Sequence, residues 1–129
     1  VLLTEIDGYN TISLDIGPFE AHAIIVEMEG INTHAPLTHD LLAGFLRRHG
    51  YKMKSFSLCD RVGSDIIGRI CYSKGFRTYC TDTRPSDGIA LAVRLGAPIY
   101  ISDTILPLLL MEQKAKSSEN TSNADILYL

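Results

Sequence analysis

The sequence predicts a single α+β domain with a mixed β-sheet and about four helices. Its 129 residues suit one domain with its own core, and 46% hydrophobic with 21% charged residues is an ordinary globular composition. The predicted elements follow the order β-β-α-α-β-β-β-α-β-α, which mixes hairpins with a crossover and favours a mixed sheet over a parallel one. We place the domain at residues 1–111, followed by a polar, flexible tail at residues 112–129.

Two strands and two helices are predicted in the first part of the chain. Residues 1–6 and 11–16 are rich in β-formers and flank an Asp-Gly turn. We expect a further strand upstream, because the chain starts inside a strand. Pro18 suits the first turn of a helix. The second helix is expected to begin with Thr38 as its N-cap and to bury Leu41, Leu42, Phe45 and Leu46.

Three strands, a helix, a short strand and a final helix are predicted in the remainder. Lys74-Gly75 is the expected turn between the second and third of these strands. The final helix begins at residues 102–103, or later because Pro107 removes one of its early hydrogen bonds. The other bounds, in chain order, are strands at residues 53–60, 66–72 and 76–82, a helix at residues 85–95 and a strand at residues 99–101.

Charge and cysteine content narrow the class of protein. No apolar stretch is long enough to span a membrane, and no basic region precedes an apolar run as in a secretory signal. Cys59, Cys71 and Cys80 lack Cys-x-x-Cys spacing, so we expect reduced cysteines and a cytoplasmic protein. Residues 47–94 carry ten bases against four acids, which offers either a positive surface for a polyanion or a solvated strand surface.

The residues Thr38, His39 and Asp40 form the first candidate site. Helix capping explains Thr38, and Asp40 meets the positive end of the helix dipole. Capping leaves His39 unexplained. A histidine at the start of a helix can face a cleft and titrate near neutral pH, as a general acid or base does.

A second candidate site runs from Asp82 to Asp87. Its Pro-Ser-Asp segment satisfies helix-start preferences, including Ser86 and Asp87. Arg84 precedes the proline and is held extended beside free helix amides, which suits a phosphate. Asp82 could pair with Arg84 and tie the strand to the helix, or it could help to hold a divalent cation such as Mg²⁺.

Glu20 belongs to a third polar group in the first turn of the first predicted helix. His22 follows two positions later, so the two side chains point roughly 200° apart and cannot line one cleft. We therefore favour Glu20 as the functional member of this pair.

These polar residues lie within four longer motifs: IGPFEAH at residues 16–22, PLTHDLL at residues 36–42, DTRPSDGIALAV at residues 82–93 and GAPIYISD at residues 96–103. In order and spacing they resemble the bifunctional nuclease domain family, over about residues 1–106. Relatives usually have one more strand before residue 1, and a longer acidic hairpin between residues 59 and 82.

The resemblance implies a nuclease that hydrolyses phosphodiester bonds in RNA and DNA. We expect a homo-oligomer without a membrane segment. The alternative is a non-catalytic oligomeric module that binds a small anion or a protein partner, because capping explains so many of the polar residues. At the matching positions we expect catalytic roles for His39, Asp40, Arg84 and Asp87, substrate contacts from Thr38, Ser86 and Glu20, and Mg²⁺ or another divalent cation at Asp82 and Asp103.

Overall fold

A computed structural model describes the backbone of residues 1–128 and the side chains of residues 1–119. The described elements have the predicted order, which confirms the α+β fold class. In chain order they are β1 (Leu2–Thr4), β2 (Thr11–Ser13), α1 (Pro18–Met28), α2 (Thr38–Arg48), β3 (Lys52–Val62), β4 (Asp65–Lys74), β5 (Arg77–Thr83), α3 (Pro85–Leu95), β6 (Ile99–Ile101) and α4 (Leu106–Tyr128).

The main sheet has four strands in the order β5-β4-β3-β6, and β1 pairs with β2 in a small separate sheet. β4 runs antiparallel to β3 and to β5, whereas β6 runs parallel to β3. β3, β5 and β6 therefore point the same way, and the sheet is mixed as predicted. β5 delivers the chain to α3 at the end of the sheet where β3 also finishes.

The core forms where α3 packs on the sheet, around the fully buried ring of Phe56. Two glycines make room for this ring. A Cβ atom on Gly68 of β4 would lie 2.4 Å from the Phe56 ring, and one on Gly88 of α3 would lie 2.1 Å from it. The first turn of α3 is thereby held close to the sheet, and this fixes where Asp87 projects.

Three of the four residues predicted to form the buried face of α2 are exposed, so that prediction was wrong for them; the fourth, Leu46, is half-buried. Leu41 is 70% exposed, Phe45 58% and Leu42 43%, while Ala43 is the residue of α2 that is buried. The reason is that α2 packs on α3 through its small residue and does not lie on the sheet. The N-cap is Leu37 instead of the predicted Thr38, one residue earlier.

Two of the three cysteines are joined, contrary to the expectation of reduced thiols. Cys71 of β4 and Cys80 of β5 form a disulfide, and the two residues are direct partners in the strand register. Cys59 is free. A cytoplasmic location rested on reduced cysteines and stays a prediction.

The last helix continues past residue 111, where we placed the end of the domain. Gln113 contacts β2: the amide of Ser13 donates to its Oε1 at 3.0 Å, and its Nε2 donates to the carbonyl of Thr11 at 3.0 Å. Flexibility of the tail stays a prediction, and its side chains from residue 120 onward lie outside the described part. Within that part, no helix combines the length and apolarity needed to cross a membrane.

Candidate functional site

The starts of three helices meet through four side chains, which we call the helix-start cluster: Glu20, His39, Arg84 and Asp87. His39 of α2 and Asp87 of α3 are joined by a hydrogen bond of 2.9 Å between Nε2 and Oδ1. Arg84, the cap residue of α3, donates to Glu20 of α1 at 3.2 Å. The structure therefore brings together the two polar regions that the sequence singled out, together with Glu20.

Asp87 is the centre of the cluster. Its carboxylate accepts two hydrogen bonds from Arg84, at 2.8 Å from Nε and 3.1 Å from Nη2, in addition to the one from His39. Burial alone would raise the pKa of Asp87, but the hydrogen bonds from Arg84 and His39 outweigh it and hold the pKa below its ordinary value. Asp87 is therefore an anion at neutral pH.

The charge of Asp87 fixes the tautomer of the neutral His39 ring. An ionised carboxylate can only accept, so Nε2 of His39 must carry the hydrogen that it shares with Asp87. Nδ1 then bears the lone pair, and no other residue in the described part bonds to it. The His39 side chain as a whole is 17% exposed.

Arg84 is the exposed cation of the cluster, with 65% of its side chain accessible. Its hydrogen bonds to Asp87, followed by those to Glu20, raise its pKa further above an already high value, so it stays charged. Three of its five N–H groups donate to Asp87 and Glu20. The other two remain for an anion that approaches from solvent.

Glu20 reaches Arg84 because no side chain stands in its way at Gly17. A Cβ atom at Gly17 would lie 2.1 Å from Oε2 of Glu20. Glu20 is in the first turn of α1, where its charge also complements the helix dipole.

Asp40 belongs to a second ion pair, next to the cluster. Its Oδ1 accepts from Nε of Arg94 at 2.7 Å, and its Oδ2 accepts from the amide of Leu37 at 2.9 Å. The hydrogen bond from Arg94, followed by the one from Leu37, lowers the pKa of Asp40. Asp40 thus ties the start of α2 to α3 and sets the position of the neighbouring His39.

Arg94 was missed by sequence reasoning, which counted it only among the bases of the middle region. Its side chain is 3% exposed and also donates to the carbonyls of Ala90 and Ala23, both at 2.9 Å. A signal did exist in the sequence. Arg94 is two helical turns after Asp87, and therefore on the same face of an otherwise apolar helix.

A cleft of about 1020 Å³ opens on one side of the cluster. Glu20, Arg84, Ser86 and Asp82 line it, together with residues of β2, the β3–β4 turn and α4. His39 and Asp87 are not among the described residues that line it. The cleft therefore meets the cluster at Arg84, with Glu20 beside it.

The remaining predicted site residues do not gather. Thr38 is exposed at the start of α2 and Asp103 is exposed after β6. Asp82 lies on β5 and pairs with Arg69 at 3.1 Å. β5 is at the opposite edge of the sheet from β6, which Asp103 follows. Asp82 and Asp103 therefore do not fit one cation site. Across the described side chains, no group of three or more His, Cys, Asp or Glu residues has the arrangement of a metal site.

Comparison with known proteins places this chain in a family. An uncharacterized protein of Mycobacterium tuberculosis (strain CDC 1551 / Oshkosh) is 31% identical over 106 residues, which are 82% of this chain and 63% of that protein. An uncharacterized protein of strain ATCC 25618 / H37Rv matches to the same extent, so the chain spans 63% of the length of both relatives. The family model for the bifunctional nuclease domain matches residues 1–114. These residues contain all four members of the helix-start cluster, and the chain belongs to the bifunctional nuclease domain family.

Proposed function

We propose that this protein hydrolyses phosphodiester bonds in RNA or DNA at the helix-start cluster. The observation that supports this most directly is the 2.9 Å contact between His39 and Asp87, which are 48 residues apart in sequence. Through Asp87, this contact joins a group able to transfer a proton to Arg84, a group able to bind phosphate. Each of these groups accelerates the hydrolysis of a phosphodiester.

The proton-transfer role falls to His39 at Nδ1. Asp87 holds the ring through Nε2 and stabilises the imidazolium that forms when Nδ1 takes a proton. His39 in this arrangement removes a proton from the attacking water or returns one to the leaving oxygen. Asp40 acts through position, because its ion pair with Arg94 anchors the turn of α2 that carries His39.

The charge-stabilising role falls to Arg84. Its two remaining N–H groups donate to oxygens of the phosphate as negative charge builds up during attack. Glu20 lines the cleft beside Arg84, and we assign it a contact with the nucleic acid next to the reacting phosphate. Ser86 also lines the cleft but is only 6% exposed, so its contact with the substrate stays a prediction. Thr38 precedes His39 and is exposed, and we assign it a further contact with the substrate. No step is assigned to a divalent cation, because Asp82 and Asp103 lie too far apart in the fold to share one.

The first prediction concerns cleavage of fluorescent single-stranded RNA and DNA by purified protein, in the presence of Mg²⁺, Mn²⁺ or EDTA. We expect His39→Ala and Arg84→Ala to lower kcat/KM by at least about a hundredfold, as loss of a general base or an oxyanion donor does. Arg84→Lys should remain impaired, since an ammonium group cannot reproduce the paired bonds to Asp87.

The matched control is His22→Ala, which removes an exposed histidine of α1 outside the cluster. Its activity should equal that of the parent protein, and circular dichroism should show all variants folded. Activity that survives in both His39→Ala and Arg84→Ala, or that separates from the protein on further purification, would contradict the proposal.

We further propose that the protein forms a homo-oligomer through α2. Leu41 and Phe45 are one helical turn apart, exposed by 70% and 58%, and share a face that no described part of the chain covers. A second copy could cover this face by packing the same helix against it. This observation also favours the alternative function, an oligomeric binding module without catalysis.

A further inference from the structure

The ten bases of residues 47–94 divide into two groups by their partners. Four are paired with acids: Arg61 with Glu112, Arg69 with Asp82, Arg84 with Asp87 and Glu20, and Arg94 with Asp40. The other six are Arg47, Arg48, Lys52, Lys54, Lys74 and Arg77. Among residues 1–119, none of these six has a carboxylate within 4.0 Å.

Three tyrosines lie among the unpaired bases. Tyr72 of β4 and Tyr79 of β5 are register partners, and their rings stack with centroids 5.5 Å apart and planes 22° apart. Tyr51, just before β3, makes an edge-type contact with Tyr72, and the two ring centroids are 5.9 Å apart. Lys74 lies over the Tyr51 ring, with Nζ 4.9 Å from its centroid. Lys74 and Arg77, also register partners, are exposed beside the rings.

Packing accounts for only part of this arrangement. Tyr72 rests against the hydrophobic core, and cross-strand aromatic pairs stabilise hairpins. Tyr79, however, is on the edge strand, where every residue except Thr83 is exposed. A fold that needed only a stable hairpin would not require unpaired bases around these rings. A groove of about 430 Å³ lies next to Tyr51. Three more bases without a carboxylate partner line it: Arg47, Lys52 and Lys54.

We propose that Tyr51, Tyr72, Tyr79, Lys74 and Arg77, here called the tyrosine platform, bind the single-stranded part of a nucleic acid. Flat rings stack on bases of any sequence, and unpaired lysine and arginine side chains follow the phosphate backbone. The adjacent basic groove extends the same track. This inference rests on the proposed function, because it assigns the path of the substrate that the cluster would cleave.

The distance between platform and cluster suits one strand that engages both. β5 leads from Arg77 through Tyr79 to Thr83, and Arg84 follows in extended conformation. At about 3.3 Å per residue, Tyr79 and Arg84 are ~16 Å apart. This equals about five nucleotides at the 3.4 Å rise of a stacked strand. A strand bound on the platform therefore reaches Arg84 within a few nucleotides.

The binding test uses the His39→Ala protein in EDTA, so that affinity is measured without cleavage. The probe is a fluorescein-labelled 12-nucleotide single strand, followed by fluorescence anisotropy. We expect Tyr79→Ala to raise Kd about tenfold, the size of one lost base stack, whereas Tyr79→Phe should bind like its parent. Lys74→Ala and Arg77→Ala should each make the plot of log K against log salt shallower by about one unit.

Matched controls come from exposed residues that belong neither to the platform nor to the lining of the cleft. Tyr100→Ala removes a 57% exposed tyrosine on β6, at the other edge of the sheet, and Lys114→Ala removes an exposed base of α4. Both should bind like the parent. Tyr79→Ala binding within twofold of its parent, or Tyr100→Ala losing as much, would overturn the inference. If polyglutamate binds as tightly as the oligonucleotide, and this binding does not depend on Tyr79, the inference would be overturned in favour of an acidic protein partner.

A cleavage test then separates this inference from the proposed function. With an active parent, Tyr79→Ala should raise KM for the oligonucleotide and leave hydrolysis of bis(4-nitrophenyl) phosphate unchanged, because that small diester cannot reach the platform. Binding through Tyr79 by a protein that cleaves nothing would leave the inference standing and refute the nuclease. If the oligonucleotide is cleaved with the same KM by Tyr79→Ala and its parent, the nuclease proposal would stand and the inference would be refuted.

Discussion

Arg94 is a buried cation whose hydrogen bonds link the helices that carry the candidate site. It bonds to α1 through the carbonyl of Ala23, to its own helix through Ala90 and to α2 through Asp40. Such a group is costly to bury unless a charge partner is present. Asp40 therefore stabilises the fold as well as the position of His39.

The residue-scale prediction follows from that pairing. Asp40→Asn should lower the free energy of unfolding by about 3 kcal/mol at pH 7, because it leaves Arg94 buried without an anion. The ion pair lowers the pKa of Asp40 from 3.8, so its stabilisation is complete above pH 3.8 and is lost as the pH falls through the lower folded-state value. The difference between variant and parent should therefore shrink below pH 3.8.

Urea denaturation from pH 7 to pH 3 measures this difference. Glu27→Gln, at an exposed acid of α1, is the control and should follow the parent at every pH. A difference between Asp40→Asn and the parent that is the same at pH 7 and pH 3 would count against the ion pair.

Contacts between residues far apart in the sequence were not predicted, whereas local features were. The helix-start motifs placed His39 and Asp87 in the first turns of α2 and α3, where the structure has them, because local rules decide helix starts. Their functional roles stay predictions. The role of Arg94 depends on Ala23 and Asp40, which are 71 and 54 residues away, and local rules do not reach that far. The disulfide was missed because the prediction of reduced cysteines used sequence spacing, which takes no account of strand register. A turn at Lys74-Gly75 pairs Cys71 with Thr78, whereas the observed turn, one residue later, pairs Cys71 with Cys80.

At the scale of elements, α3 is the helix on which the site depends. It contributes Asp87 and Arg94 and follows directly from Arg84, and it packs against Phe56 through Gly88. Sequence reasoning placed this helix correctly because its proline start and glycine end are strong local signals. It misplaced the buried face of α2, because an apolar stripe does not show whether its partner is the sheet or a second copy.

The element-scale prediction tests how closely α3 must approach the sheet. Gly88→Ala should lower the free energy of unfolding by about 1–2 kcal/mol, because overpacking against a ring that cannot move outweighs the better helix propensity of alanine. Gly44→Ala is the matched control: a Cβ atom there meets nothing within 4 Å, so it should stabilise α2 by about 0.8 kcal/mol.

Thermal or urea unfolding of both variants makes the comparison. Adding Phe56→Leu to Gly88→Ala should recover part of the loss, since a smaller side chain leaves room for the new methyl group. Gly88→Ala with unchanged or higher stability would show that α3 is free to move away from the sheet.

At the scale of the whole molecule, the exposed surfaces divide by chemistry. The α2 face is apolar, the cleft carries acids and Arg84, and the tyrosine platform is basic. Leu41 and Phe45, the residues of the proposed α2 interface, belong neither to the cleft nor to the platform.

The whole-molecule prediction is that the protein is a dimer or a larger oligomer at micromolar concentration. Light scattering after size-exclusion chromatography should give the mass of that assembly for the parent, and the monomer mass of 14.2 kDa for Phe45→Lys. Met28→Lys, at a 68% exposed site on α1, should assemble like the parent. A monomeric parent, or assembly that tolerates Phe45→Lys, would contradict the α2 interface.

The acids at the three helix starts affect which residues a descendant of this domain would retain over evolutionary time. Glu20, Asp40 and Asp87 each lie in a first turn, where their charge stabilises the helix whether or not a substrate binds. Selection for a folded protein alone would therefore retain them in a descendant that had lost activity. The helix dipole sets no such constraint on His39, whose structural contact is its bond to Asp87. Retention of the acids alone would therefore not mark an active lineage, whereas loss of His39 would remove the proposed proton-transfer group.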